Sequence, residues 1–214
     1  MPGVGAVVVA AGRGDRFGAA KQFAAVGGAR LVDRAVDACR AVCDEVVVVV
    51  PAGTEWAGSP VDAVVPGGAA RSDSVRAGLG ALRCDADIVI VHDAARPLAS
   101  RALFDAVIDA VRAGADAAVP GVVVTDTLKR VDGTRVVETV DRDGLVAVQT
   151  PQAFRAEALR AAHAGGGDAT DDAALVEAAG GTVVVVPGEV TNFKVTEPAD
   201  LERAAALLRR EVTR

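Results

Sequence analysis

Short valine-rich runs alternate with helical patterns along most of the chain. Gly5–Ala10 is a continuous apolar run, Glu45–Val50 a second, Val61–Val65 a weaker third, Ile88–His92 a fourth and Asp116–Val119 a fifth. Runs without polar alternation suit parallel strands covered on both faces. Between them, apolar residues recur three and four apart: Leu31, Ala35, Ala38, Cys39 and Val42, then Val75, Leu79 and Leu82, then Leu103, Val107 and Val111. That spacing places each set on one stripe of a helix. Glu157–Ala164 and Asp171–Ala179 read as helices and Thr182–Val186 as a strand. Glu197–Arg210 is a closing helix, with Thr196 as its N-cap and Pro198 in the first turn, where a missing N–H costs little. Repeated strand–helix–strand units predict an α/β fold, a doubly wound, mostly parallel Rossmann-like sheet with right-handed crossovers. Ligands of such sheets gather outside the carboxyl ends of the strands.

One stretch departs from the alternation. Residues 122–149, VVVTDTLKRVDGTRVVETVDRDGLVAVQ, form two β-rich arms around Asp132-Gly133, a strong hairpin turn signal. No helix pattern lies beside it, so a protruding β-hairpin arm is expected on a single domain spanning 1–214. At this length a second, fused catalytic domain is not expected.

Composition narrows the function. Apolar residues make up 51% of the 214 and aromatics 3%, which suits β-branched strands and alanine-rich helices with few bulky anchors. A net charge of −6 argues against nucleic acid or an anionic membrane as the main partner. Cys39, Cys43 and Cys84 form no CxxC pair, and the first two share a helical face as small core hydrophobes. The N-terminus has no basic region before its apolar run, and no segment reaches the ~18 apolar residues of a membrane span. A cytoplasmic protein is expected.

Three motifs carry the chemistry. In AVVVAAGRGDRFGAAKQF, residues 6–23, a strand ends at Ala10-Ala11. Gly12, Gly14 and Gly18 then punctuate a loop carrying Arg13, Arg16 and Lys21. Small residues let the backbone approach phosphates, free N–H groups donate to them, and the cations offset their charge. A dinucleotide fingerprint needs glycine where Phe17 stands, and a Walker loop needs Ser or Thr where Gln22 follows Lys21. In PGGAARSDSVRAGL, residues 66–79, Gly67-Gly68 opens a loop and Ser72–Ser74 begin a helix whose N-terminus suits an anion or a base edge. By itself this segment reads best as a glycine turn with a serine cap. In IVIVHDAARPL, residues 88–98, Asp93 and Arg96 follow a buried strand at the ligand edge. Asp93 suits sugar hydroxyls or a nearby magnesium ion, and Arg96 a phosphate; a local Asp93–Arg96 clamp is the plainer alternative. His92 reads as a packed core histidine. Polar clusters follow at Thr125–Lys129, Asp141-Arg142, Gln149–Gln152, Thr170–Asp172 and Asn192–Thr196. Lys194, flanked by Phe193 and Val195, calls for an anionic partner.

Taken in this order, AAGRGDR, HDAARP, the TDTLKR and VDR pair, QTPQ and NFKVT resemble the 2-C-methyl-D-erythritol 4-phosphate cytidylyltransferases, from about Val7 to Leu201. The resemblance implies transfer of the cytidylyl group of CTP to the erythritol phosphate, releasing pyrophosphate, with Mg2+ held largely by the nucleotide and no protein metal ligands. It implies that Arg16, Lys21 and Lys194 are catalytic cations. Ala10, Ala11, Gly12, Gly68, Ser74, Asp93 and Ala94 would bind nucleotide, and Arg96, Thr127, Arg142, Thr150, Thr170 and Thr196 the acceptor. Thr127 and Arg142 would reach a neighbouring subunit's site, which implies a homodimer through the arm. Two departures stand out: the Arg16–Lys21 spacing is shorter by about two residues, with Ala20 in place of a proline, and Ala69 stands where an acidic residue is usual. A cytidylyltransferase for another polyol phosphate, such as ribitol 5-phosphate, and a non-catalytic nucleotide sensor are the alternatives. The second would need neither Arg142, Thr170 nor Lys194.

Overall fold

A computed structural model describes residues 3–12, 17, 20–83 and 85–211. The elements are β1 (Gly3–Val9), β2 (Ala25–Val26), β3 (Ala29–Arg30), α1 (Leu31–Arg40), β4 (Glu45–Val50), β5 (Ala63–Pro66), α2 (Arg71–Ala81), β6 (Ala86–Asp93), α3 (Arg101–Arg112) and β7 (Ala117–Val123). They continue with β8 (Leu128–Asp132), β9 (Arg135–Val140), β10 (Val146–Val148), β11 (Gln152–Arg155), α4 (Ala156–Ala164), α5 (Asp172–Ala178), β12 (Val183–Pro187) and α6 (Pro198–Glu211).

The valine runs lie side by side in one sheet. β1 pairs in parallel with β4 on one edge and β6 on the other, and β5 extends the β4 side. Strand order therefore reverses at β1, and its carboxyl end is a topological switch point. Beyond β6 come β11, β7 and β12, with β12 parallel to β7. β11 runs antiparallel to both β6 and β7, and β10 pairs antiparallel with the far half of β7. These two short strands share one edge of β7, interrupted at a cis Thr150–Pro151 bond.

Alternate residues of each run face opposite layers, which is why no polar alternation is visible. Val8, Val46, Val48 and Ile90 meet Val32, Val36 and Cys39 of α1 and Phe104, Val107 and Ile108 of α3. Val7, Val47, Val49 and Val91 meet Val75 and Leu79 of α2, Leu159 of α4 and Val176 of α5. α2 lies unusually close to the sheet because Gly78 faces it; a Cβ there would stand 2.4 Å from a Val7 methyl. The Cys39 and Cys43 side chains are both buried in the α1 layer, as expected. Cys84 lies outside the described residues.

Two expectations need correction, and one hairpin was missed. The arm is shorter than residues 122–149: Val122 and Val123 finish β7, and Val146–Val148 is β10, both in the main sheet. The apolar run of β7 simply continues past Pro120. Only β8 and β9 form the separate two-stranded ribbon, joined at Asp132-Gly133 with Gly133 at positive φ. Thr196 is not the cap of α6. Asp200, in the first turn, accepts from the backbone N–H groups of Thr196 and Glu197 at 2.7 and 2.9 Å, and from the Thr196 hydroxyl at 3.0 Å. The β2–β3 hairpin also escaped the pattern, since strands of two residues have no period. It supports Val26 and Leu31 against Val195 and Ala204.

Candidate active site

The switch point opens onto a cavity of about 380 Å3. Its floor is the end of β1 with Ala10, Ala11 and Gly12. One wall is the Gly68–Arg71 loop with Ser74, and the other the end of β6 with Asp93, Ala94 and Ala95. Lys21 and Lys194 edge it. A second cavity of about 270 Å3 adjoins it, lined among others by Arg96, Thr150, Gln152, Thr170 and Asp171. Arg71, Asp93 and Lys194 line both.

Backbone closeness shapes the first cavity. A Cβ at Gly67 would lie 2.2 Å from that of Ala11, and one at Gly68 2.2 Å from that of Asp73, so no side chain fits at either place. The hydroxyl of Ser74 accepts from the Gly68 N–H and donates to the Ala70 carbonyl, both at 3.2 Å. Asp73 accepts from the Ala70 N–H at 3.0 Å. Ser74 thus lines the cavity while stapling the loop that forms it.

Lys194 reaches the site from a short extended segment. Val195 N–H bonds to the Ala95 carbonyl at 2.8 Å, and Phe193 and Val195 pack towards α6, leaving Lys194 facing the cavity. Its ammonium donates to Asp93 at 2.6 Å. Lys21 donates to the Val195 carbonyl at 2.8 Å, joining the first loop to this segment. Arg71 spans two carboxylates, Asp172 at 2.6 Å and Asp93 at 3.4 Å. Burial opposes the Asp93 charge, but Arg71 and then Lys194 outweigh it and hold the carboxyl well below the usual range. The anion therefore persists throughout the neutral range.

Below Asp93 lies a neutral network. His92 is fully buried, and burial lowers its pKa to about 4. A carbonyl can only accept, so Nε2–H donates to Arg96 O at 3.2 Å, and Nδ1 accepts from the Thr150 hydroxyl at 3.1 Å. That hydroxyl in turn accepts from Asp93 N–H at 3.0 Å. His92 is a core histidine that fixes the 93–96 turn. Arg96 donates to the Asn192 carbonyl at 2.8 Å, and Asn192 donates to Thr150 O at 2.9 Å.

The sequence candidates divide clearly. Ala10, Ala11, Gly12, Lys21, Gly68, Ser74, Asp93, Ala94 and Lys194 meet at the first cavity, and Arg96, Thr150 and Thr170 at the second. Thr196 lines neither, its hydroxyl being turned onto Asp200. Thr127 and Arg142 lie on the arm, lining neither cavity; Arg142 edges a separate hollow with Val123 and Leu145 and contacts the Thr125 carbonyl. Arg16 lies outside the described residues. Arg71 was missed, although its position three residues after Gly67-Gly68, as the first residue of a helix, is the signal that could have found it.

A Rossmann-like sheet whose switch point presents glycine-loop backbone and two lysines beside a second polar cavity defines a nucleotidyltransferase. The family model described as 2-C-methyl-D-erythritol 4-phosphate cytidylyltransferase (IspD) matches residues 4–210. The chain belongs to this family. It is 49% identical over 218 residues to the Nocardia farcinica 2-C-methyl-D-erythritol 4-phosphate cytidylyltransferase, covering 96% of this chain and 94% of that protein. The crystal structure of the Thermus thermophilus cytidylyltransferase superposes with a TM-score of 0.84 at 40% identity, covering 95% of this chain and 98% of that one. The chain is also 48% identical over 227 residues to a bifunctional IspD/IspF enzyme of Clavibacter michiganensis, covering 98% of this chain but spanning only 55% of that protein's length.

Proposed function

We infer that the chain transfers the cytidylyl group of CTP to 2-C-methyl-D-erythritol 4-phosphate, giving 4-diphosphocytidyl-2-C-methyl-D-erythritol and pyrophosphate. The observation that carries this is the pair of adjoining cavities sharing Arg71, Asp93 and Lys194. A phosphate oxygen of the acceptor attacks the α-phosphorus of CTP in line, a new P–O bond forms, and the bond to pyrophosphate breaks. A phosphate monoester, with its second pKa near ~6, is already anionic at neutral pH and needs no strong base. Catalysis then rests on positioning and on cations that offset charge at the α-phosphorus. Lys21 and Lys194 fill that role, and Arg16 is assigned to it on the resemblance alone.

Among the described residues no three His, Cys, Asp or Glu side chains gather as a metal site, and both Asp93 oxygens already hold cations. A Mg2+ ion brought with CTP would be held largely by the triphosphate oxygens, with Asp93 as the nearby carboxylate. Bound there, the ion would offset phosphate charge and ease departure of pyrophosphate. The arm fits a homodimer in which Thr127 and Arg142 serve the partner's second cavity. Among the described residues no helix is long and apolar enough to cross a membrane. Burial pushes the Cys43 thiol up to about 12, leaving it an inert group of the core. Pyrophosphate release with each nucleoside triphosphate and a panel of polyol phosphates tests the reading. CTP with the methylerythritol phosphate should exceed ATP, or ribitol 5-phosphate, by about a hundredfold or more, roughly 2.7 kcal/mol of discrimination. Equal rates with ATP would refute base selection, and preference for ribitol 5-phosphate would reassign the acceptor.

A further inference from the structure

Arg71 edges both cavities, and its fork joins Asp93 at the end of β6 to Asp172 at the start of α5. Each carboxylate is held on its other oxygen, Asp93 by Lys194 at 2.6 Å and Asp172 by His163 Nε2 at 3.0 Å. Asp172 is only 1% exposed. A row of Lys194, Asp93, Arg71, Asp172 and His163 therefore runs from the nucleotide cavity into the packing of α4 against α5. Two more contacts leave the same turns of α2 for the same stretch of chain. The Ser72 hydroxyl donates to Asp168 at 2.7 Å, and Arg76 to the Gly167 carbonyl at 3.0 Å. Residues 168–172 follow the run Gly165–Gly167, whose backbone has little preference of its own. These tethers, together with Gln152 donating to Asp171 at 3.1 Å, hold the stretch that carries Thr170 and Asp171 into the second cavity.

We propose that Arg71 is a positioning residue for the acceptor. By spanning Asp93 and Asp172 it fixes the Thr170-bearing segment against the nucleotide edge of the sheet. The proposal rests on the cytidylyl-transfer reading above. A planar fork can bridge two carboxylates, whereas a lysine ammonium is a point charge that serves one well. Removing Arg71 also leaves Asp172 buried with His163 as its remaining partner, an arrangement that favours movement of the segment.

The test compares Arg71→Met, Arg71→Lys and Asp172→Asn with the unaltered chain. CTP affinity is measured by calorimetry, and kcat and KM are measured for 2-C-methyl-D-erythritol 4-phosphate. Acceptor KM should rise by about tenfold to a hundredfold in Arg71→Met and Asp172→Asn, as for a misplaced substrate group. Arg71→Lys should fall between, and CTP affinity should stay within about threefold, under 1 kcal/mol. An unchanged acceptor KM in folded variants would overturn the proposal. So would a parallel loss of CTP affinity, which would make Arg71 a direct nucleotide ligand. If Arg71→Met fails to fold, Arg71→Lys and Asp172→Asn decide by the same criteria. An unaltered chain that binds no CTP would instead refute the cytidylyl-transfer reading, and the proposal with it.

Discussion

Lys21 and Lys194 come from opposite ends of the chain, yet both edge the nucleotide cavity, and Lys21 bonds to the residue after Lys194. If both offset charge at the α-phosphorus, Lys21→Ala and Lys194→Ala should each lower kcat by two to three decades, about 3 kcal/mol, by analogy with the loss of one oxyanion donor. Melting temperature should hardly change for Lys21→Ala. Near-normal turnover in either variant would remove that lysine from the mechanism. His92 leads to a different expectation. Its folded pKa is about 4 against an ordinary 6.5, so the unfolded chain binds more protons between those values. Stability is then full above pH 6.5 and falls as pH drops towards 4. The loss between pH 7 and pH 5 should be about 2 kcal/mol from this residue. Urea unfolding at the two pH values should show that slope, and His92→Gln should flatten it. An equal slope in the variant would place the proton uptake elsewhere.

At the scale of elements, the ribbon of β8 and β9 is the part least explained by its own chain. Val131 and Val136 are cross-strand partners, 56% and 54% exposed, and a two-stranded ribbon alone is marginal in water. A second copy related by a twofold axis is the commonest cover. The double variant Val131→Glu with Val136→Glu should therefore shift the assembly from dimer to monomer in sedimentation, and activity should fall with it. Mixing inactive Lys21→Ala and Arg142→Ala chains should restore activity at sites that regain both groups. A fully active monomer would contradict shared sites and return Arg142 to its own chain. How far such elements could be read from sequence depended on period and length. EVVVVV coincides with β4, and the stripe from Leu31 to Cys39 falls within α1, because an uninterrupted apolar run or a 3.6-residue repeat has few other solutions. β10 was read as β-rich but as part of the arm, and β11 was invisible, since the residues around Gln149–Gln152 look like a polar loop until β6 and β7 are there to pair with them. The Arg71–Asp172 bridge was hidden for a related reason: its partners are far apart in sequence, and only the crossovers bring the first residue of α2 to the first residue of α5.

Across the whole molecule, an acidic chain of net charge −6 must accommodate a triphosphate and a phosphate monoester. It does so locally, by bringing Lys21, Arg96 and Lys194 to one edge of the sheet, while Arg71 is taken up by the two buried carboxylates Asp93 and Asp172. The long-range field of the protein opposes anionic substrates, so the site's short-range cations must dominate within a Debye length of about 8 Å at physiological salt. The most direct check of the account is phosphorus NMR of the purified chain with CTP, Mg2+ and 2-C-methyl-D-erythritol 4-phosphate. Cytidylyl transfer predicts that the acceptor's monoester signal disappears as two coupled diphosphate resonances and free pyrophosphate grow in equal amounts. CTP consumed to CMP with the acceptor signal unchanged, or no change in either substrate, would contradict it.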